Sequence, residues 1–276
     1  MRALRLASAV AATAVLIGGA TACSSSSKGG DQKAGSTGDA AAPAAKPDAD
    51  PKAALVASTL VMQKFGNGKV QIKAVSDNAP ATGDDHWDNP AKTAVDVTSN
   101  EGGKPFHVRI VGTEAYLGAD AFGDKAPAGK SWVKLSASNP LGAGLQTAAL
   151  MVNPVVQLTV AAQSGKLTVV GQEDVDGGKA THIRAVEDTA VLLAGMKGLS
   201  PEQHAAIQKE LENEGKTLTV DFWINDKHEL VKLQEHGDAK AAEETTVTYS
   251  GLGKAAPIQA PAAKDVGEAD LSKLLG

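Results

Sequence analysis

Thr217-Leu218-Thr219-Val220-Asp221-Phe222-Trp223-Ile224-Asn225 is the most regular stretch of this chain. Leu218, Val220, Phe222 and Ile224 fall on one side of an extended backbone. Thr217, Thr219, Asp221 and Trp223 fall on the other, which is the two-residue period of a half-buried strand. Asn225-Asp226-Lys227 then turns the chain, and residues 229–236 and 244–249 read as two further strands.

Upstream, the same period recurs. Val70, Ile72 and Ala74 alternate with Gln71 and Lys73, Val95 and Val97 with Asp96 and Thr98, and Phe106, Val108 and Ile110 with His107 and Arg109. Residues 115–117 and 131–135 continue the series, separated by turns such as Gly102-Gly103 and Pro127-Ala128-Gly129. Residues 166–171 and 181–185 return to strand around Gly177-Gly178. The expectation is an antiparallel meander with one apolar face.

Helices are signalled between these strands. Asp50-Pro51 has the form of an N-cap followed by proline at the first helical position, with Val56, Leu60, Val61 and Phe65 at helical spacing behind it. Asn153-Pro154 starts another helix. Ser200-Pro201-Glu202-Gln203 resembles a capping box, and Gly215 stands where a helix end wants a left-handed residue. The most apolar later run, 145–162, is interrupted by Gln146, Thr147, Asn153, Pro154, Gln157 and Thr159, so it reads as a core or lid helix and not as a membrane span. A sheet with one apolar face must bury it, and these helices are the available cover. The fold class is therefore α+β.

The N-terminus carries a different message. Arg2 and Arg5 precede a small, apolar run from 7 to 22, the pattern of an export signal too short for a permanent span. The run ends Ala20-Thr21-Ala22-Cys23, which resembles the bacterial lipobox. Cys23 is the one cysteine of the chain, so no intramolecular disulfide can form, and an acylation site accounts for it best. Two or three acyl chains would anchor firmly where one anchors marginally. Residues 24–50 are Ser, Gly, Ala, Pro, Lys and Asp with no large apolar side chain, a composition that stays disordered and spans roughly 30 Å as a flexible coil. Three parts follow: a signal segment at 1–22, an acylated cysteine with its tether at 23–50, and a folded domain at 51–276, expected on the outer face of the cytoplasmic membrane.

Composition and motifs exclude several classes. A formal net charge of -5 with scattered lysines and arginines argues against nucleic acid. No G-x-S-x-G or H-E-x-x-H is present, and Cys23 is spoken for, so an enzyme is not expected. Ser164-Gly165-Lys166-Leu167-Thr168 lacks the first glycine and the Lys-Ser/Thr pair of a phosphate loop. Asp174-Val175-Asp176-Gly177 reads as a hairpin turn, since no glutamate closes a calcium loop behind it. Asp84-Asp85-His86-Trp87-Asp88 reads as a solvated loop rather than a metal site. No cofactor or metal is called for.

Several motifs together resemble one family. These are Gly112-Thr113-Glu114-Ala115-Tyr116-Leu117, Trp132-Val133-Lys134-Leu135, Asp176-Gly177-Gly178-Lys179-Ala180-Thr181-His182-Ile183, Asp221-Phe222-Trp223-Ile224-Asn225 and Tyr249-Ser250-Gly251-Leu252-Gly253. With the order of elements, they are similar to the actinobacterial lipoproteins of the LppX/LprA/LprF/LprG group and the broader LolA/LolB-like carriers. The resemblance implies a curved, half-open antiparallel β-sheet, a half-barrel, with helices covering the concave face. It also implies an apolar cavity that holds the acyl chains of a lipid or glycolipid. Aromatic residues make up only 3% of the chain, so aliphatic and small side chains would shape that space. Its expected walls are Met151, Val155, Leu158, Leu192, Leu193 and Met196 from the covering helices and Leu218, Val220, Phe222 and Ile224 from the sheet. Trp132 and Trp223 are expected to pack under a helix rather than lie at a cavity mouth. The chain is expected to act as a monomer carrying lipid; the alternative is a non-catalytic envelope sensor or partner-binding lipoprotein on the same fold.

Overall fold

The computed structural model describes residues 50–268 other than 78, 89–92, 102–103, 136–139, 196–200, 240–241 and 243. The export segment, Cys23, the tether up to Asp50, Met196 and Ser200 of the capping box lie outside them.

Twelve strands form one sheet. In chain order they are β1 (Asn67–Ala74), β2 (Ala81–His86), β3 (Ala94–Glu101), β4 (Lys104–Val111), β5 (Glu114–Gly118), β6 (Trp132–Leu135), β7 (Lys166–Val175), β8 (Gly178–Asp188), β9 (Thr217–Asn225), β10 (Leu230–Gly237), β11 (Thr245–Ser250) and β12 (Val266–Glu268). Their order across the sheet is β12-β6-β5-β4-β3-β2-β1-β11-β10-β9-β8-β7. Two antiparallel runs therefore meet where β1 pairs with β11, Ile72 opposite Val247. The sheet is open, since β12 and β7 end it without pairing to each other. All neighbours are antiparallel except β12, which lies parallel to β6. This last strand carries no apolar alternation and was not foreseen.

The helices are α1 (Pro51–Phe65), α2 (Pro140–Met151), α3 (Pro154–Ser164), α4 (Thr189–Gly195) and α5 (Pro201–Glu214). Asp50 caps α1 by accepting from Lys52 N–H at 2.9 Å, and Gly66 ends it at φ 68, its N–H donating to the Met62 carbonyl. Asn153 separates α2 from α3. Its side-chain oxygen accepts from Val155 and Val156 N–H at 3.0 and 3.1 Å, Pro154 fills the first helical position, and the pair is bent by 74°. Gln157 Nε2 donates back to the Met151 carbonyl at 3.1 Å and Tyr249 Oη to that of Val152 at 2.9 Å, so the carbonyls freed at the break are satisfied. Among the described residues no single helix is long and apolar enough to cross a membrane.

Helices α2 to α5 pack on one face of the sheet: α2 on β4 and β5, α3 and α4 on β8, α5 on β10; α1 packs on α3. That inner face carries Val95, Val97, Val108, Ile110, Ile183, Leu218, Val220, Phe222, Ile224 and Leu233, all buried in one core. The strand periodicity located this face correctly, and the open antiparallel sheet with helical cover is the architecture expected.

Three local readings change. The buried side of α1 is Ala54, Leu55, Ser58 and Met62, whereas Val56 and Leu60 are 46% and 63% exposed. Two apolar stripes run along this helix, and periodicity cannot say which one docks. The cluster at 84–88 is no solvated loop: Ala81 to His86 is a strand, Asp85 points inward, and Trp87 is wholly buried with its Nε1 donating to the Met62 carbonyl at 2.7 Å. Its inward positions are Ala81, Gly83 and Asp85, too small or too polar to read as a core row. The hairpin after β7 turns at Asp176-Gly177, with Asp176 at φ 49, and Gly178 already begins β8.

Candidate functional site

Between α2 and the inner face lies a cleft. The sheet supplies Val108 and Ile110 from β4, Val95 and Val97 from β3, Ile72 from β1, Thr245 and Val247 from β11, and Leu233 and Glu235 from β10; the helix side supplies Leu145, Ala148, Ala149, Met151 and Val152. All of these are apolar but Glu235 and Thr245. The empty space reaches about 650 Å³ only when the open solvent at its mouth is included. Its lining comes from β4, β3, β1, β11 and β10, five of the six strands that run side by side from β4 to β10, and is almost wholly aliphatic.

Of the expected walls, Met151 lines this cleft. Leu218, Val220, Phe222 and Ile224 form the inner face of β9 and are wholly or almost wholly buried in the core beside it. Leu158 on α3 and Leu192 on α4 are buried there too, while Val155 and Leu193 pack half-buried against the same cluster. Met196 and Cys23 lie outside the described residues.

One end of the cleft is acidic. Glu235 opposes Thr245 on one side and Val220 on the other, and its side chain is turned inward with Leu233. Glu187 opposes Leu218 on the same face, one strand further on. Glu214, the last residue of α5, lies over Gly237; a Cβ at Gly237 would stand 2.6 Å from its Oε2. Burial pushes the Glu187 carboxyl up to about 7. Burial and the carboxyls of Glu214 and Glu187 push Glu235 well above the usual carboxylate range. Among the described residues, Glu235 Oε1 and Glu187 Oε2 have no hydrogen-bond partner. Asp85, further along the inner face, is likewise raised by burial, against a smaller lowering by the His86 backbone N–H. Sequence inspection passed over these acids, although the period of the strands contained the signal: Glu235 continues the row of Leu233, and Glu187 that of Ile183 and Ala185.

The outer face is polar and aromatic. His182 stacks on Trp223 with ring centroids 4.3 Å apart, and Lys232 sits 3.9 Å above the indole. His182 places Nδ1 2.7 Å from Glu173 and Nε2 2.8 Å from Asp221, and Arg184 grips Asp221 through two nitrogens. Across the sheet His107 and Arg109 hold Asp96 and pack on Trp132, the guanidinium 4.6 Å from the ring centre. Both tryptophans therefore lie outside the sheet under cationic side chains, neither under a helix nor at the cleft. They pair with charged residues that share the outer row, which the sequence presented simply as polar neighbours. With both ring nitrogens of His182 committed to carboxylates, none is left to activate a nucleophile. Among the described residues no three His, Cys, Asp or Glu side chains are placed to hold a metal ion.

Comparison with solved structures places this architecture. LprF from Mycobacterium bovis superposes with a TM-score of 0.50 at 14% identity, over 77% of this chain and 97% of its own. The chain has the fold of LprF. The lipoprotein LppX of Mycobacterium tuberculosis is also similar, at a TM-score of 0.47 and 16% identity over 76% of this chain and all of its own. In sequence, an uncharacterized 31.2 kDa protein from the rplA-rplJ intergenic region of Streptomyces griseus is 34% identical over 145 residues. The match takes in 50% of this chain and 48% of that one, so the chain spans about half the length of the curated relative it matches. No family model matches. The cleft lies between the sheet and its helical cover.

Proposed function

We propose that this protein binds the acyl chains of a lipid or glycolipid in the cleft under α2, as a carrier and not as an enzyme. The observation that carries the reading is the lining itself: a cleft between sheet and helices whose walls are aliphatic except at Glu235 and Thr245. Such a surface gains by excluding water, at about 0.8 kcal/mol for each methylene buried, and offers hydrogen bonds only at those two residues. The open sheet with its helical cover, a fold shared with LprF, supports the reading. The N-terminal features give it a place. Acylation of Cys23 after removal of residues 1–22 would hold the domain at 51–276 on the outer face of the cytoplasmic membrane. The tether would let it reach the bilayer from which lipid is drawn.

Native mass spectrometry of the protein gently extracted from membranes should show co-purifying lipid, and the delipidated protein should take up a fluorescent fatty acid. Ala148→Trp, which fills the cleft from α2, should abolish uptake while leaving the circular dichroism of the sheet unchanged. A wild-type protein with no bound lipid and no uptake overturns the reading. Cys23→Ala should release a folded protein to the medium; retention on the membrane would make residues 1–22 an uncleaved anchor.

A further inference from the structure

The acidic end of the cleft is expensive. Glu235 is 95% buried by its 5% relative exposure, borders the cleft beside Thr245, and leaves Oε1 without a partner. Glu187, 2% exposed, leaves Oε2 without one, and the Glu214 carboxyl converges on the same place over Gly237. Unpaired buried carboxyl oxygens cost stability that an apolar side chain at the same position would recover. Nothing in the strand geometry requires them, since Leu233 and Val220 beside Glu235 show that aliphatic residues fit this face. Their chemistry is that of a receptor for a polar group brought in with an apolar chain.

We propose that Glu235, with Glu187 beside it, selects the head of the bound amphiphile: an uncharged, hydroxyl-bearing head such as a glyceryl group, in preference to a carboxylate or phosphate. This rests on the acyl-chain reading of the cleft and adds the chemistry of its polar end. A hydroxyl both donates and accepts, so it satisfies a carboxyl oxygen whether that carboxyl is protonated or ionised. An anionic head brings a further negative charge among three acids in a medium where like charges repel strongly, and it offers no proton to an ionised oxygen. With the hydroxyl at Glu235, the chain lies along Leu233 and Val247 toward Val97 and Val108, all of them aliphatic lining.

Lauroylglycerol and laurate share one acyl chain and differ in the head. Titrated calorimetrically into the delipidated full-length protein, lauroylglycerol should bind at least about tenfold more tightly, the factor expected of one satisfied buried hydrogen bond. Glu235→Gln, which still donates and accepts, should keep that order. Glu235→Leu should lower the affinity for lauroylglycerol about tenfold and not that for laurate, and Glu187→Leu should narrow the same ratio. Equal binding of the two ligands by the wild type, or an unchanged ratio in Glu235→Leu, overturns the head-group assignment while the acyl-chain reading stands. Binding of neither ligand overturns both.

Discussion

Glu187 on β8 and Glu235 on β10 flank β9 on the covered face of the sheet, and the Glu187 carboxyl makes Glu235 harder to ionise. Natural cores rarely bury acids on two strands that flank a third without cations to pair them. The stability of the domain must therefore follow their protonation.

Glu187 is raised in the folded protein from its ordinary 4.5 to about 7, so between these values the folded state holds a proton that the unfolded chain has lost. Its contribution is complete below pH 4.5 and disappears as pH rises through about 7, a decline of about 3 kcal/mol. Glu235 shifts in the same direction. Urea unfolding at a series of pH values should show stability falling from pH 5 to 7.5. Glu187→Gln should flatten that fall by about 3 kcal/mol; an unaltered slope would contradict the assignment.

Asp221 works with the opposite sign. Although burial opposes ionisation, hydrogen bonds from Arg184 and His182 hold its carboxyl below the ordinary 3.8, so its stabilisation is present above that pH and lost as pH falls further. Asp221→Asn leaves Arg184 and His182 facing an uncharged amide and should cost about 1–2 kcal/mol at pH 7, less than for a fully buried pair because the Arg184 guanidinium is exposed to solvent. Urea midpoints of the two proteins should converge below pH 3.

Trp87 ties the end of α1 to the sheet. Its ring is fully buried edge-on to Tyr249, centroids 6.1 Å apart, and its Nε1 satisfies the Met62 carbonyl, which also accepts from Gly66 N–H. Trp87→Phe keeps most of the ring, loses the bond and leaves a small void, so it should cost about 2 kcal/mol; Trp87→Ala should cost 3–5 kcal/mol by the usual cavity scale. Thermal melts would rank the two; no loss in Trp87→Phe would show that the hydrogen bond contributes nothing, and equal losses that the ring contributes nothing beyond it.

Gly83 permits the close approach of β2 to β3. A Cβ there would stand 1.9 Å from the Asp96 carbonyl oxygen, in backbone that cannot withdraw without breaking the ladder. Gly83→Ala should destabilise by about 3 kcal/mol or prevent folding, whereas Gly178→Ala, whose Cβ meets nothing nearer than 3.7 Å, should change stability by less than about 0.5 kcal/mol. Comparable losses in the two would rule out the steric account.

Strand periodicity located the inner face because alternation is a local property: Leu218 to Ile224 can face only one way once the backbone is extended. The N-caps were as legible, since Asp50 and Asn153 act on the backbone within a few residues of themselves. The sequence by itself determined the antiparallel strands, their apolar side and the helical punctuation, and the family resemblance supplied the openness of the sheet. What it could not determine is what meets across the fold. Glu235 looks like any polar strand residue until Glu187 and Glu214 are brought beside it; α1 offers two apolar stripes until α3 chooses one; and Trp223 is an isolated indole until β8 and β10 set His182 and Lys232 against it. Only the tertiary structure decided these, because desolvation, like-charge repulsion and ring stacking depend on distance in space, to which separation along the chain is blind.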